Sequence, residues 1–177
     1  MHETGTMEAE AAQVLGPLRE DHQKVKQLFE EFEASTENDV KQRIVDNALA
    51  ALQEHSYVEE KVLYPAFEPA LDGAELIDEA LEEHHVVHFL IAELKKMSAG
   101  DERFDAKFTV LAENVRHHIK EEEGDMFPQV EESDLDWVYL AEKASEARQH
   151  FSSKLARSGK PIGKSKKAKT ASQKTAS

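Results

Sequence analysis

Two stretches of the chain repeat one arrangement of chemically competent residues. Residues 55–65 read HSYVEEKVLYP and residues 118–128 read HIKEEEGDMFP. Each opens on a histidine, places a glutamate four residues on (Glu59, Glu122) and reaches a proline ten residues after the histidine (Pro65, Pro128). Positions i and i+4 share a helix face, so each pair offers an imidazole nitrogen and a carboxylate in one direction. Two more histidines, His22 and His84, stand inside apolar stripes of their own. Burying an unpaired polar group costs roughly 1–3 kcal/mol, and an unpaired carboxylate costs more. Six such groups on inward faces therefore need partners. Hydrogen bonds among themselves are one solution, and bound metal is the one the residue types favour. Imidazole and carboxylate without sulfur suit iron, manganese or zinc. Two similar ligand sets, with carboxylates on facing helices able to bridge, point to two ions, since a single zinc needs only four ligands.

Helices must carry these groups. Apolar periodicity predicts them over about 8–34, 39–67, 74–97, 102–130 and 134–156. The first stripe is Leu15, Leu18, His22, Val25, Phe29 and Phe32; the third is Ile77, Ala80, His84, Val87, Ile91 and Leu94. The second runs Ala48, Leu52, His55, Glu59, Val62 and Ala66, and the fourth Phe108, Leu111, Val115, His118, Glu122 and Met126. Asn38 or Asp39 is the expected N-cap of the second helix, Gly100 sits near the C-cap of the third, Pro65 is expected to kink or end the second and Pro128 to mark where the fourth stops. A shift of 62 superposes the first stripe on the third, and a shift of 63 superposes the second motif on the fourth. The unit is a helical hairpin, and two of them make an antiparallel up-down four-helix bundle with pseudo-twofold symmetry. The fifth helix, with Trp137, Leu140, Ala144 and Phe151, is expected to pack outside it.

Composition agrees with an all-α chain. In 177 residues, 40 % are hydrophobic and 33 % charged, and the alternating β-branched runs of strands are missing. The absence of cysteine excludes disulfides, thiolate nucleophiles and iron–sulfur clusters. Residues 157–177 carry +7 and no acid, leaving −21 on residues 1–156. The expected organisation is a bundle domain over 1–156 and a disordered Lys-rich tail over 157–177. The acidic body should repel nucleic acid. The tail's sharper reading is weak, salt-sensitive contact with nucleic acid or an acidic surface, without base stacking, since no aromatic residue interleaves its lysines. The N-terminus shows no secretion signal and no run approaches a bilayer span, so a cytoplasmic chain without membrane contact is expected.

The phrases LREDHQKVKQLF, HSYVEEKVLYP, LEEHHVVHFLIAEL and HHIKEEEGDMFP, in that order, resemble the haemerythrin-like, or HHE cation-binding, family over roughly residues 12–131. The resemblance implies a bundle around two iron ions, oxo- or hydroxo-bridged, that meets dioxygen, peroxide or nitric oxide. It implies His22, His55, Glu59, His84, His118 and Glu122 as metal ligands, with Glu59 bridging. His88 joins them because oxygen carriers place His-x-x-x-His on the third helix and His84 with His88 has that spacing. His85 with His88 is the alternative facing. Oxygen carriers use His-x-x-x-x-Asp on the fourth helix, where this chain has His118 and Glu122 four apart. His117 with Glu122 would restore the five-residue step, but the repeat favours His118. That departure counts against reversible oxygen carriage and leaves small-oxidant binding or peroxide-consuming, catalase-like activity. An iron store or an iron or oxygen sensor is the alternative. Family members that repair iron centres often carry a cysteine-bearing segment, which this chain lacks. Glu60 and Glu123 read as solvated charge or as contacts behind the ligands, Tyr57 and Tyr64 as packing or hydrogen-bonding groups, and His2 and His150 as incidental.

Overall fold

The computed structural model describes residues 3–157, with side chains from residue 7 onward. His2 and the basic tail beyond Arg157 lie outside the described residues. Helix α1 spans Glu3–Ala34 and α2 Asn38–Val58. From α2 the chain continues through a π-helical turn, Glu59–Leu63, into α3 (Tyr64–Phe67) and a 3-10 turn, Glu68–Ala70. Helix α4 covers Glu75–Leu94 and α5 Phe104–Glu121. A second π-helical turn, Glu122–Met126, leads into α6 (Phe127–Glu131), and α7 covers Trp137–Arg157. Short links make sequence neighbours antiparallel: α1 packs on α2 and α4 on α5, giving the expected four-helix bundle. Helix α7 lies outside it, against α1, α2 and the first π turn, with Trp137 and Leu140 buried.

The core is in two parts. One apolar cluster gathers Val25, Phe29 and Phe32 of α1 with Leu52, Val87, Phe108 and Val115. The other gathers Leu15 and Leu18 with Leu63, Phe67, Ile77, Phe127 and Trp137. Between them, at mid-bundle, lie the in-stripe histidines and glutamates.

The two π turns are the main departure from the periodicity. In each, an N–H reaches back five residues, Tyr64 to the Glu59 carbonyl and Phe127 to the Glu122 carbonyl. Both stand just before the prolines of the repeat. Proline has no N–H and its ring presses on the carbonyl four residues back, so a widened turn relieves the clash and lets the helix run on. The prolines therefore do not end these helices. The wider turn also moves the buried stripe by one residue: Leu63 and Phe67 are fully buried, whereas the expected Val62 and Ala66 are only partly so. Glu37, not Asn38 or Asp39, precedes the first turn of α2, and its side chain makes no capping bond. Gly100 falls in the loop after α4 at φ +95, where an added Cβ would stand 2.7 Å from Asn38 Nδ2. Among the described residues no helix is long and apolar enough to cross a membrane.

The shifted register has a measurable consequence. Leu63→Ala should cost about 2–5 kcal/mol in urea unfolding, as for a fully buried leucine, and Val62→Ala about 1 kcal/mol or less. Equal costs would contradict the π-turn register.

Candidate metal centre

Four helices each deliver a histidine to one layer, and two of them add a glutamate one turn later. His22 comes from α1, His55 from the end of α2, His84 from α4 and His118 from the end of α5. Glu59 and Glu122 open the two π turns. All six are at most 6 % exposed. Potential ligand atoms of His22, His55, Glu59 and Glu122 lie within 4.8 Å of one another, as do those of Glu59, His84 and His118. Glu59 belongs to both groups, with Oε1 at 3.0 Å from His55 Nε2 and Oε2 at 3.4 Å from His84 Nε2. Glu122 Oε2 stands 3.3 Å from His22 Nε2 and 3.4 Å from His118 Nε2.

A carboxylate lies behind every imidazole. Glu123 Oε1 is 2.8 Å from His22 Nδ1, Asp21 Oδ2 is 3.3 Å from His55 Nδ1, Glu60 Oε1 is 3.1 Å from His84 Nδ1 and Glu83 Oε2 is 2.7 Å from His118 Nδ1. The repeat relates these contacts in pairs: Asp21 and Glu83 are 62 residues apart, Glu60 and Glu123 are 63. An ionised carboxylate only accepts, so each Nδ1 carries the hydrogen and donates it. A neutral ring then presents a bare lone pair at Nε2, directed into the layer.

The interior of the layer is accordingly a set of acceptors facing acceptors. Nε2 of His22 and His55 are 3.1 Å apart, and so are Nε2 of His84 and His118. While the rings are neutral with hydrogen on Nδ1, no hydrogen bond from the described residues reaches either oxygen of Glu59 or Oε2 of Glu122, although imidazole nitrogens stand 3.0–3.4 Å away and would donate once protonated. Facing lone pairs and buried carboxylates repel unless positive charge lies between them. Metal ions or protons can supply it. Without metal the site attracts protons. Burial works against a charged His55, but the Glu59 carboxylate and the Asp21 hydrogen bond outweigh it and hold the ring at about 10. Burial likewise opposes charge on His84, yet hydrogen bonds to Glu59 and Glu60 raise it to about 9. Burial favours a neutral Glu59, and the charge and hydrogen bond of His55 overcome this and hold its carboxyl well below the usual range.

Tyr64, read from sequence only as a packing or hydrogen-bonding residue, reaches the layer because the π turn rotates it inward. Its Oη donates to Glu122 Oε1 at 2.8 Å and lies 3.4 and 3.5 Å from Nε2 of His84 and His118. Burial, then the charges of Glu122 and Glu59, raise its pKa well above 10, so the phenol keeps its proton. The repeat position of Tyr64 in the other half is Phe127, which stacks on His22 with centroids 6.0 Å apart. The layer is thus polar-capped on one side only. Beside it a cavity of about 20 Å³ is walled by Val25, Leu52, Val87, Val115 and Ile119, with the histidines at its floor. That is room for about one water-sized molecule.

Of the seven sequence-identified residues, the structure brings six together and leaves His88 apart. Ser56 Oγ donates its one hydrogen to the Leu52 carbonyl at 2.9 Å, so His88 Nε2, 2.9 Å from that oxygen, carries a hydrogen and donates it. The His88 side chain is 42 % exposed. His85 is exposed, and His117 faces Glu83 and Glu121 on the surface. Tyr57 packs away from the layer, 5.4 Å from Phe151 of α7. Sequence reasoning missed Asp21 and Glu83. The available signal was that each directly precedes an in-stripe histidine, at equivalent repeat positions.

Comparison with known proteins places these features in context. The model of the hemerythrin HHE cation binding domain matches residues 14–130. An uncharacterized hemerythrin-like protein of Schizosaccharomyces pombe is 29 % identical over 113 residues, 63 % of this chain and 56 % of that protein. A DNA nickase of Nostoc is 32 % identical over 113 residues, 62 % of this chain and 31 % of that protein. This chain thus spans about half of one curated relative and a third of the other. The crystal structure of a hemerythrin HHE cation binding domain-containing protein from Mycobacterium kansasii aligns with a TM-score of 0.66 at 24 % identity, over 79 % of this chain and 87 % of that one. At that identity the likeness speaks to the fold.

The charge balance of the layer sets a pH dependence for metal-free protein. His55 and His84 are raised above their ordinary 6.5, to about 10 and about 9, so their stabilisation is complete below pH 6.5 and lost progressively up to about pH 10. Glu59 is depressed below 4.5, so its contribution is present above pH 4.5 and lost as pH falls through its lowered value. Thermal unfolding of metal-free protein should therefore peak between about pH 4.5 and 6.5 and decline toward pH 10. Metal-loaded protein, whose imidazoles release their protons on binding, should lack the alkaline decline.

Proposed function

The chain belongs to the hemerythrin HHE cation-binding family, and from that premise we propose that it is a non-haem di-iron protein that binds or reacts with dioxygen, peroxide or nitric oxide. The observation that carries this reading is the layer of inward acceptors, to which the Tyr64 phenol donates at Glu122 Oε1 while both Glu59 oxygens, Glu122 Oε2 and the Nε2 lone pairs are left facing one another. Two cations sharing Glu59 would neutralise the layer, whereas one would leave a pair of imidazoles facing each other. His22, His55, Glu59 and Glu122 would hold one ion, and His84, His118 and the second oxygen of Glu59 the other. Glu122 Oε2, close to one histidine of each pair, suits a second bridge. The nitrogen and oxygen donors fit iron, and they fit manganese and zinc as well. His88 is left out of the ligand set.

When bound, a pair of iron ions supplies the electrons or the open position that a small oxidant needs. The remaining functions belong to side chains. Four carboxylates fix the imidazole orientations through Nδ1. The valines, Leu52 and Ile119 keep bulk water out and limit the cavity to about 20 Å³, which favours a diatomic or peroxide-sized guest over an organic substrate. Tyr64 holds a proton at Oη beside Glu122, where a guest turning basic would meet it. These features support peroxide consumption alongside simple binding. DNA nicking is not proposed, because the match spans 31 % of the nickase.

Purified protein reconstituted anaerobically with ferrous iron should hold close to two irons per chain, and Glu59→Ala, which removes the shared carboxylate, should hold less than one while keeping its helical circular dichroism. Oxygen gas released from added peroxide by the loaded wild type marks catalase-like turnover. Stoichiometric zinc in protein purified from iron-replete cells, or full iron content in Glu59→Ala, would overturn the reading.

A further inference from the structure

The two halves of the bundle differ in what lies outside the carboxylates that orient the histidines. In the first half, Asp21 accepts from His55 Nδ1 and also from Arg148 of α7, whose Nη2 is 2.6 Å from Asp21 Oδ2 and whose Nη1 is 3.6 Å from Glu54 Oε1. A fixed cation therefore sits on the outer side of this carboxylate pair. The repeat carries Asp21 to Glu83 and Glu54 to His117. The outward face of α4 has no cover like α7 among the described residues, and its Leu81, Val86 and Phe89 are exposed. Among the described residues no arginine takes the equivalent place. What stands there instead is His117, with Nε2 at 3.5 Å from Glu83 Oε1 and 3.1 Å from Glu121 Oε1.

We propose that Glu83, His117 and Glu121 form a peripheral site for a divalent transition-metal ion, in the place that the Arg148 guanidinium occupies in the other half. The three ligand atoms lie within 4.8 Å of one another. His117 and Glu121 are one turn apart on α5 and project together, and Glu83 faces them from α4. Glu83 divides its two oxygens: Oε2 holds His118 Nδ1 at 2.7 Å, and Oε1 faces His117. Asp21 likewise engages two partners, His55 and Arg148, but through the one oxygen Oδ2. One imidazole and two carboxylates make a mixed nitrogen and oxygen set of the kind zinc, cobalt and nickel accept, with water completing the shell. The His117 side chain is 60 % exposed and Glu121 32 %, so an ion reaches them from solvent without the bundle opening. An isolated His–Glu pair at i, i+4 is common on helix surfaces. What distinguishes this one is the third ligand from a neighbouring helix and a cation seated at the equivalent place in the same molecule.

The site meets the mid-bundle layer through Glu83, and the test keeps the two separate by counting metals independently. Full-length protein already loaded with iron is dialysed to equilibrium against micromolar free zinc, and iron and zinc are both measured. The wild type should retain its iron and take up one zinc more than His117→Ala. Glu121→Gln should weaken that zinc roughly tenfold. His85→Ala, which removes an exposed histidine outside the site, should bind zinc as the wild type does. His117 and Glu121 are surface residues, so the variants should fold and keep the wild-type iron content. No zinc bound by the wild type, or equal zinc in the wild type and His117→Ala with iron retained in both, would overturn the proposal.

Discussion

The structure turns on an electrostatic conflict at mid-bundle. Four imidazoles have their Nδ1 hydrogens committed to carboxylates behind them, so four Nε2 lone pairs and the oxygens of Glu59 and Glu122 converge on one small volume. Burial makes this arrangement costly, because it cuts these groups off from bulk water. The conflict is resolved only by positive charge placed inside. Raised histidine pKa values and the proposed binding of two cations are two answers to that one requirement.

Much of the fold follows from holding this layer rigidly. The apolar core is divided into two clusters, one on either side: the first draws on α1, α2, α4 and α5, the second on α1, the end of α2, α4, α7 and the π turns with α3 and α6 that continue α2 and α5. The π turns set the layer's edge. Ordinary i, i+4 spacing aligns Glu59 and Glu122 with the histidines, and the widened turns that start at these glutamates turn the next residues inward. In one half that brings Tyr64, a proton donor, and in the other Phe127, a flat apolar ring against His22. A nearly symmetric scaffold thus yields an asymmetric site. Helix α7 adds a second asymmetry, pressing a guanidinium on Asp21 where the opposite half leaves Glu83 beside a surface histidine.

The bundle was legible in the sequence because its helices are long and strongly periodic, and because the repeat showed the same apolar stripe twice, each time interrupted by a histidine. His22, His55, Glu59, His84, His118 and Glu122 were legible for the same reason, being polar residues in positions that burial demands. The register beyond Glu59 was not. A π turn changes hydrogen bonding by one residue and leaves no mark on composition, so Val62 and Ala66 stood where Leu63 and Phe67 are buried. His88 satisfied a spacing rule, but its ring nitrogen meets the Ser56 hydroxyl, a contact between helices that one helix's periodicity cannot show. Asp21 and Glu83 went unread because each bonds a histidine on a neighbouring helix rather than the one beside it.

The central claim is that the carboxylates fix hydrogen on Nδ1 and so turn bare Nε2 atoms inward to meet two cations. It is tested most directly by a long-range proton–nitrogen-15 NMR correlation of the imidazoles in protein loaded with zinc as a diamagnetic stand-in for iron. The account predicts that His22, His55, His84 and His118 all show protonated Nδ1 and metal-bound, unprotonated Nε2. Protonated Nε2 in any of the four would contradict it.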